Sequence, residues 1–262
     1  GESIIDFRDL AKKKRRVEVG LTSEYSVGGI FVDENMFTGV PGLYAAGEAA
    51  SGVFGANRVA DAVTEMLVQG YKAGEVAAAR ASEQTRVASD DAAIERAVGV
   101  LEKLLSNQGG IAVSEAIDRL GEISDNALGM VRNETTLRAG VEAFETLGAE
   151  MDGISLRGKS LRYNRELMQA LAARNLLACS RVAAKMALER RESRGLHLRD
   201  DYSYIDNENW QVRQLAELVN GEDKLSKKVP VVTRIPLRKA EKIDYESFIL
   251  EEDLGMKNME ES

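Results

Sequence analysis

A chain of 262 residues, 44% hydrophobic and 30% charged, is long enough to bury one sizeable core or two small ones. Its formal net charge of -8 excludes a nucleic-acid partner, because neutralising phosphates takes a surplus of Lys and Arg on one face. A single cysteine, Cys179, and a single histidine, His197, exclude a disulfide framework, a thiolate metal cluster and the multi-histidine metal sites, so redox chemistry has to come from an organic cofactor.

No apolar run approaches the roughly 20 residues that cross a bilayer, and no signal peptide is visible, which points to a cytoplasmic protein without a transmembrane segment. The start at Gly1, without Met, points to a piece of something longer. The basic cluster Lys12-Lys13-Lys14-Arg15-Arg16 reads as a solvated charge run. Short apolar runs bounded by Gly and Pro predict strands at Val17-Glu18-Val19, Ile30-Phe31-Val32 and Leu43-Tyr44-Ala45-Ala46, separated by Gly28-Gly29 and Val40-Pro41-Gly42. From Asp61 to Arg80 the period is helical, with Val63, Met66, Leu67 and Gly70 along one side.

Helix then follows helix. Ser89 caps the first, whose apolar stripe is Ile94, Val98, Leu101 and Leu105. After a break from Asn107 to Gly110, further helices are expected at Val113 to Arg132, Glu134 to Gly148 and Tyr163 to Arg191. Leu167, Leu171, Ala178, Val182 and Met186 form the expected buried face of the last, and Cys179 within it reads as a small buried residue. After Gly195 the chain is polar and irregular to about Trp210. A short helix follows, then an edge strand or extended arm from Val229 to Leu237 containing Pro230 and Pro236, then a frayed acidic end from Glu251. The expected fold is mainly α: a helical bundle over 82–200, preceded by a β-containing segment over 1–81 and followed by a small irregular region over 201–262.

The most informative stretch runs from Gly39 through Val40-Pro41-Gly42-Leu43-Tyr44-Ala45-Ala46-Gly47-Glu48 to Gly55-Ala56-Asn57-Arg58. Small residues at Gly47, Ala49, Ala50, Gly52 and Gly55 let backbone approach a flat ring closely. A helix starting near Asp61 offers free N–H groups and a positive dipole end to an electron-rich edge. The stretch resembles the FAD-contacting segment of the fumarate reductase and succinate dehydrogenase flavoproteins, whose pattern is VPGLYAAGE, a variable stretch, then HGANR. Asp61-Ala62-Val63-Thr64-Glu65 is similar to the helix start that follows it in that family, one residue sooner here. The resemblance implies FAD as cofactor, with Gly47, Glu48, Asn57, Ala62 and Val63 in its site, and makes residues 1–81 a remnant of an FAD-binding α/β domain.

Upstream, Thr22-Ser23-Glu24-Tyr25-Ser26-Val27-Gly28-Gly29 resembles the family's T-x-H-Y-x-x-G-G segment, but Glu24 stands where the family has a substrate-binding histidine. Phe54 stands where the family has the first residue of HGANR, and Arg58 matches its arginine, which clamps a substrate carboxylate. A carboxylate in place of a histidine repels a dicarboxylate. The resemblance therefore implies a small anionic substrate other than fumarate or succinate, with Arg58 and Glu24 as the candidate catalytic residues. Arg58 could equally pair structurally with Glu24 or Glu65.

Asn175-Leu176-Leu177, then Arg190 through Glu192-Ser193-Arg194-Gly195-Leu196-His197-Leu198-Arg199-Asp200-Asp201-Tyr202, then Asp206-Asn207-Glu208-Asn209-Trp210 resemble the family's second signature. Its charges cap carbonyls and pair with one another, and His197 reads as a structural hydrogen bonder in preference to a catalytic base. The family's G-x-G-x-x-G loop has no counterpart here. The chain is thus expected to need the N-terminal FAD-binding portion of the same protein and to be inactive alone, with an electron-transfer subunit as a further partner. Adenylylsulfate reductase-like and L-aspartate oxidase-like enzymes, and a non-catalytic helical interaction module, are the alternatives.

Overall fold

A computed structural model describes residues 25–51, 62–84 and 90–229. The strand expected at Val17 to Val19, most of the arm from Val229 to Leu237 and the acidic end from Glu251 lie outside the described residues. The fold is mainly α, and the sheets among the described residues are small, two strands each.

Helices α1 (Ala62–Glu83), α2 (Asp91–Ser106), α3 (Val113–Leu128), α4 (Glu134–Met151) and α5 (Arg165–Glu189) start and stop where local chemistry dictates. Asp90 accepts from Ala93 N at the start of α2 and Asn164 from Leu167 N at the start of α5. Asn133 and Thr136 form a reciprocal capping box on α4. Helices α3, α4 and α5 pack on one another, with Leu104 from the end of α2, around Leu120, Phe144, Leu147, Met151 and Ile154, all buried. Each such side chain contributes about 1.5–3 kcal/mol through removal from water.

The buried face of α5 is Leu167, Ala170, Ala173, Leu177, Ala184 and Ala187. Of the face expected from the sequence only Leu167 is fully buried, while Ala178 is exposed and so is Cys179. Small alanines let α5 approach its neighbours closely, so the row of larger side chains mis-sets the stripe. In α2 only the last turns reach the core: Ile94 and Val98, at 53% and 44% exposure, lie outside it.

Two short parallel strands, β1 (Val131–Arg132) and β2 (Leu198–Arg199), join the end of α3 to the chain beyond α5. After a one-turn helix α6 (Asn207–Trp210), an antiparallel hairpin of β3 (Arg213–Val219) and β4 (Glu222–Lys228) replaces the expected short helix. Its turn is Asn220-Gly221, both at positive φ (53° and 85°), the two-residue connection that suits strand twist. The hairpin docks on α5 through Asp223, whose carboxylate meets Arg181 at 3.0 Å and Lys185 at 3.2 Å. The Lys227 ammonium lies 3.6 Å from the Trp210 ring centre, and that of Lys228 4.5 Å from the ring of Phe31.

Residues 25–51 form turns and isolated bridges, Ile30 with Ala50 and Phe37 with Tyr44, in place of the strands expected at Ile30 to Val32 and Leu43 to Ala46. Turns at Asp33 to Met36 and Val40 to Leu43 leave too few consecutive residues for a ladder.

Candidate functional site

The two glycine-rich ends of the 25–51 segment are hydrogen-bonded side by side. Ile30 N donates to Ala49 O at 2.9 Å, and Ser51 N donates to Ile30 O at 2.8 Å. Gly29 is pressed against this junction: a Cβ there would lie 2.7 Å from the carbonyl oxygens of Ala49 and Ala50. The single 3-10 turn Gly47–Ala49 projects Glu48 outward, and Ser26 N donates to Glu48 Oε1 at 2.7 Å.

Gly47, at φ 67°, donates its N–H to Gln69 Oε1 at 2.7 Å. Gln69 Nε2 donates to Glu65 Oε1 at 3.2 Å, and the Tyr25 hydroxyl donates to Glu65 Oε2 at 2.9 Å. Glu65 and Gln69 are 4% and 5% exposed, so α1 buries a polar stripe that ties together both ends of the segment. The apolar side of α1 is open: Val63, Met66 and Leu67 are 64%, 45% and 69% exposed. A buried hydrogen-bonded pair such as Glu65 and Gln69 has no signature in an apolar count.

Of the expected site residues, the structure brings Gly47 and Glu48 against the first turns of α1, where Ala62 and Val63 lie; a Cβ on Gly47 would meet Met66 Cγ at 2.8 Å. Glu24, Asn57 and Arg58 lie outside the described residues, as does Phe54. Sequence reasoning missed Ser26, which fixes Glu48, and Gln69, which fixes Gly47. The one available signal for Gln69 was its spacing of four from Glu65 on the same helix face.

A second polar cluster closes the end of α5. Arg199, 2% exposed, donates through Nη1 to Ala187 O at 2.9 Å and Leu188 O at 3.3 Å, and through Nε and Nη2 to Asp201 at 2.7 and 2.6 Å. Glu192, fully buried, accepts from Arg190, from Arg194 at 2.8 and 3.0 Å and from Asp206 N at 2.9 Å. Burial raises the Glu192 pKa, but the hydrogen bonds from Arg194, Asp206 N and Arg190 outweigh it and hold the carboxyl below its ordinary value. Ser193 Oγ donates to Tyr202 O at 2.8 Å and accepts from Arg199 N at 2.8 Å. These charges cap helix carbonyls and pair with one another, as the sequence predicts.

The chain matches the description "Fumarate reductase flavoprotein C-term" over residues 117–245 and "FAD binding domain" over residues 2–61. It is 34% identical over 196 residues to the fumarate reductase flavoprotein subunit of Haemophilus influenzae, covering 73% of this chain and 33% of that protein. It is 31% identical over 218 residues to that of Helicobacter pylori, covering 81% and 30%. The chain belongs to the fumarate reductase and succinate dehydrogenase flavoprotein family. Its fold superposes on an Escherichia coli quinol fumarate reductase chain with a TM-score of 0.75 at 28% identity, covering 83% of this chain and 38% of that one. Against Mycobacterium smegmatis Sdh1 the TM-score is 0.73 at 28% identity, covering 82% and 36%. An adenylylsulfate reductase from Archaeoglobus fulgidus, TM-score 0.61 at 21% identity over 76% of this chain and 33% of that one, shares the fold alone. The chain spans about a third of the length of the curated relatives it matches.

FAD is the cofactor of this flavoprotein family, and the residues present fit it. Glu48 is exposed, with Oε1 held by Ser26 N, and Ser51 Oγ is buried without a hydrogen-bond partner. Both lie within residues 2–61, the stretch matched to an FAD binding domain.

In the second cluster His197 carries a structural load. Its Nδ1 faces Arg132 Nη1 at 3.3 Å and its Nε2 lies 3.3 Å from Arg190 O. Burial, with the nearby cations Arg132, Arg190 and Arg199, lowers its pKa from 6.5 to about 4. Folding therefore favours the neutral ring, and the unfolded chain takes up the proton first as pH falls. The sign is a loss of stability between pH 6.5 and about 4, with none from this ring below that range. Glu192 and Asp201, both held low, add a further acid loss at and below the ordinary carboxylate range. Urea midpoints are expected to fall between pH 7 and 5 by the equivalent of about 1–2 kcal/mol, and His197→Asn is expected to flatten that slope. An equal slope in the variant would place the titration elsewhere.

Proposed function

We propose that this chain is the C-terminal part of an FAD-dependent oxidoreductase that exchanges hydride or electrons with a small anionic substrate other than fumarate or succinate. The observation that carries this reading is Glu48, aimed outward by the Ser26 N–H and the buried Gln69–Gly47 bond, within the segment matched to an FAD binding domain. FAD, when bound, supplies the redox chemistry. Gly47, Glu48 and Asn57 would help hold it, Glu48 through its hydroxyls, and Ala62 and Val63 would present N–H groups at the positive end of α1. Arg58 clamps the substrate anion, while Glu24 and Phe54 withhold the donors that two histidines give a dicarboxylate in the family.

The N-terminal FAD-binding portion of the same protein covers the open apolar row of α1: Val63, Met66, Leu67, Val68 and Tyr71, the last 76% exposed. Without that portion the chain binds flavin weakly and does not turn over. Relatives named as flavoprotein subunits support an electron-transfer partner subunit. Among the described residues no helix is long and apolar enough to cross a membrane, in line with a cytoplasmic enzyme or one held at the membrane's inner face by that partner.

The substrate reading is tested on the full-length polypeptide that carries this segment, with its flavin reduced and fumarate added. Reoxidation should be negligible, and Glu24→His combined with Phe54→His should raise its rate by about 30-fold or more, the worth of one buried charge contact. Rapid reoxidation by fumarate in the unaltered protein would overturn the exclusion.

A further inference from the structure

Among the described residues two buried side-chain polar atoms lack a hydrogen-bond partner, Ser51 Oγ and Arg181 Nε. The second is not stranded, since it lies 3.0 Å from Asp223 Oδ2 in an ion pair. That leaves the Ser51 hydroxyl as a desolvated donor and acceptor with nothing to bond. Folded proteins satisfy almost all such groups, and an exception calls for a missing partner.

The position of this exception is informative. Ser51 is three residues beyond Glu48, inside the 2–61 match to an FAD binding domain. Its backbone is fixed by the bond from Ser51 N to Ile30 O, and the preceding Ala50 is 2% exposed. The hydroxyl is therefore held in place by its own main chain on the strand of backbone that carries the flavin contacts. A serine hydroxyl can rotate its proton to suit a donor or an acceptor at no cost in backbone movement.

We propose that Ser51 Oγ is a hydrogen-bonding ligand of the bound FAD, a cofactor contact additional to those the family motifs assign. The inference rests on the proposed flavin site, and it makes a prediction of opposite sign for the free and loaded protein. In the free protein the unbonded hydroxyl is a burden that alanine removes. In the loaded protein alanine removes a bond.

The test uses the full-length polypeptide stripped of cofactor, titrated with FAD by flavin fluorescence, together with thermal melts of both forms. For Ser51→Ala we expect FAD binding weakened by about 5- to 10-fold, the worth of one neutral hydrogen bond. The free form should melt at the same temperature as wild type or higher, and the loaded form lower. Ser51→Thr, which keeps the hydroxyl, should restore affinity. Affinity within about twofold of wild type in Ser51→Ala would overturn the inference. So would a lower melting temperature of its free form, because the hydroxyl would then serve the protein or a buried water. Failure of the wild-type polypeptide to take up FAD would overturn the proposed function itself, and this inference with it.

Discussion

Replacing Arg199 by Ala should destabilise the bundle by about 3–4 kcal/mol, the cost of removing one partner from a buried charged network. The guanidinium is 2% exposed and bonds both the last carbonyls of α5 and the carboxylate of Asp201. It also lies 5.0 Å from the Tyr202 ring centre. Alanine strands Ala187 O in the interior, while Asp201, at 29% side-chain exposure, recovers part of its loss from water. Because β2 pairs with β1, the change should also loosen the joint between α3 and α5. Equilibrium urea unfolding measures it; a loss under about 1 kcal/mol would mean that solvent reaches these carbonyls and the network is decorative.

Gly140→Ala should cost about 2–3 kcal/mol, although alanine is the better helix former. Gly140 on α4 faces Ala127 on α3, and a Cβ there would lie 2.3 Å from the Cβ of Ala127. Neither side can rotate away, so the two helices must separate across the core that holds Leu120 and Phe144. Gly121 on α3 is the control: nothing lies within 4 Å of its added Cβ, and Gly121→Ala should stabilise by about 0.5–1 kcal/mol. Equal stabilisation by both substitutions in the same denaturation series would show that the α3–α4 crossing is looser than described.

Helix starts were legible because caps act locally, whereas the helix expected to run to Arg132 stops at Leu128, and Val131–Arg132 pair with β2 as β1 instead. Asn107 ends α2, Asn133 and Asn164 begin α4 and α5, and each sits within a residue or two of the boundary read from the sequence. Buried faces were less legible, because burial is decided by neighbours. In α5 the alanines carry the contact, and in α1 a glutamate and a glutamine do. The β3–β4 hairpin is readable in principle from Asn220-Gly221, a strong two-residue turn signal.

At the site, the turn around Gly47 and Glu48 could be read from small residues and the family motif. The bonds that aim it, from Ser26 and Gln69, depend on contacts 22 residues apart in each case and carry no periodic signature. The capping and pairing roles of Arg199 and Glu192 followed from charge types at a helix end, whereas the Arg132 contact to His197 spans 65 residues and needed the fold.

The most direct test of the account is the visible absorption spectrum of the full-length polypeptide that carries this segment, purified and titrated with FAD, beside that of this chain alone. A stoichiometric flavin band, shifted from that of free FAD, is expected in the full-length protein, and little or none with this chain alone. A full-length protein that takes up no flavin at saturating FAD would contradict the oxidoreductase assignment, and a stoichiometric shifted band with this chain alone would contradict its dependence on the N-terminal portion.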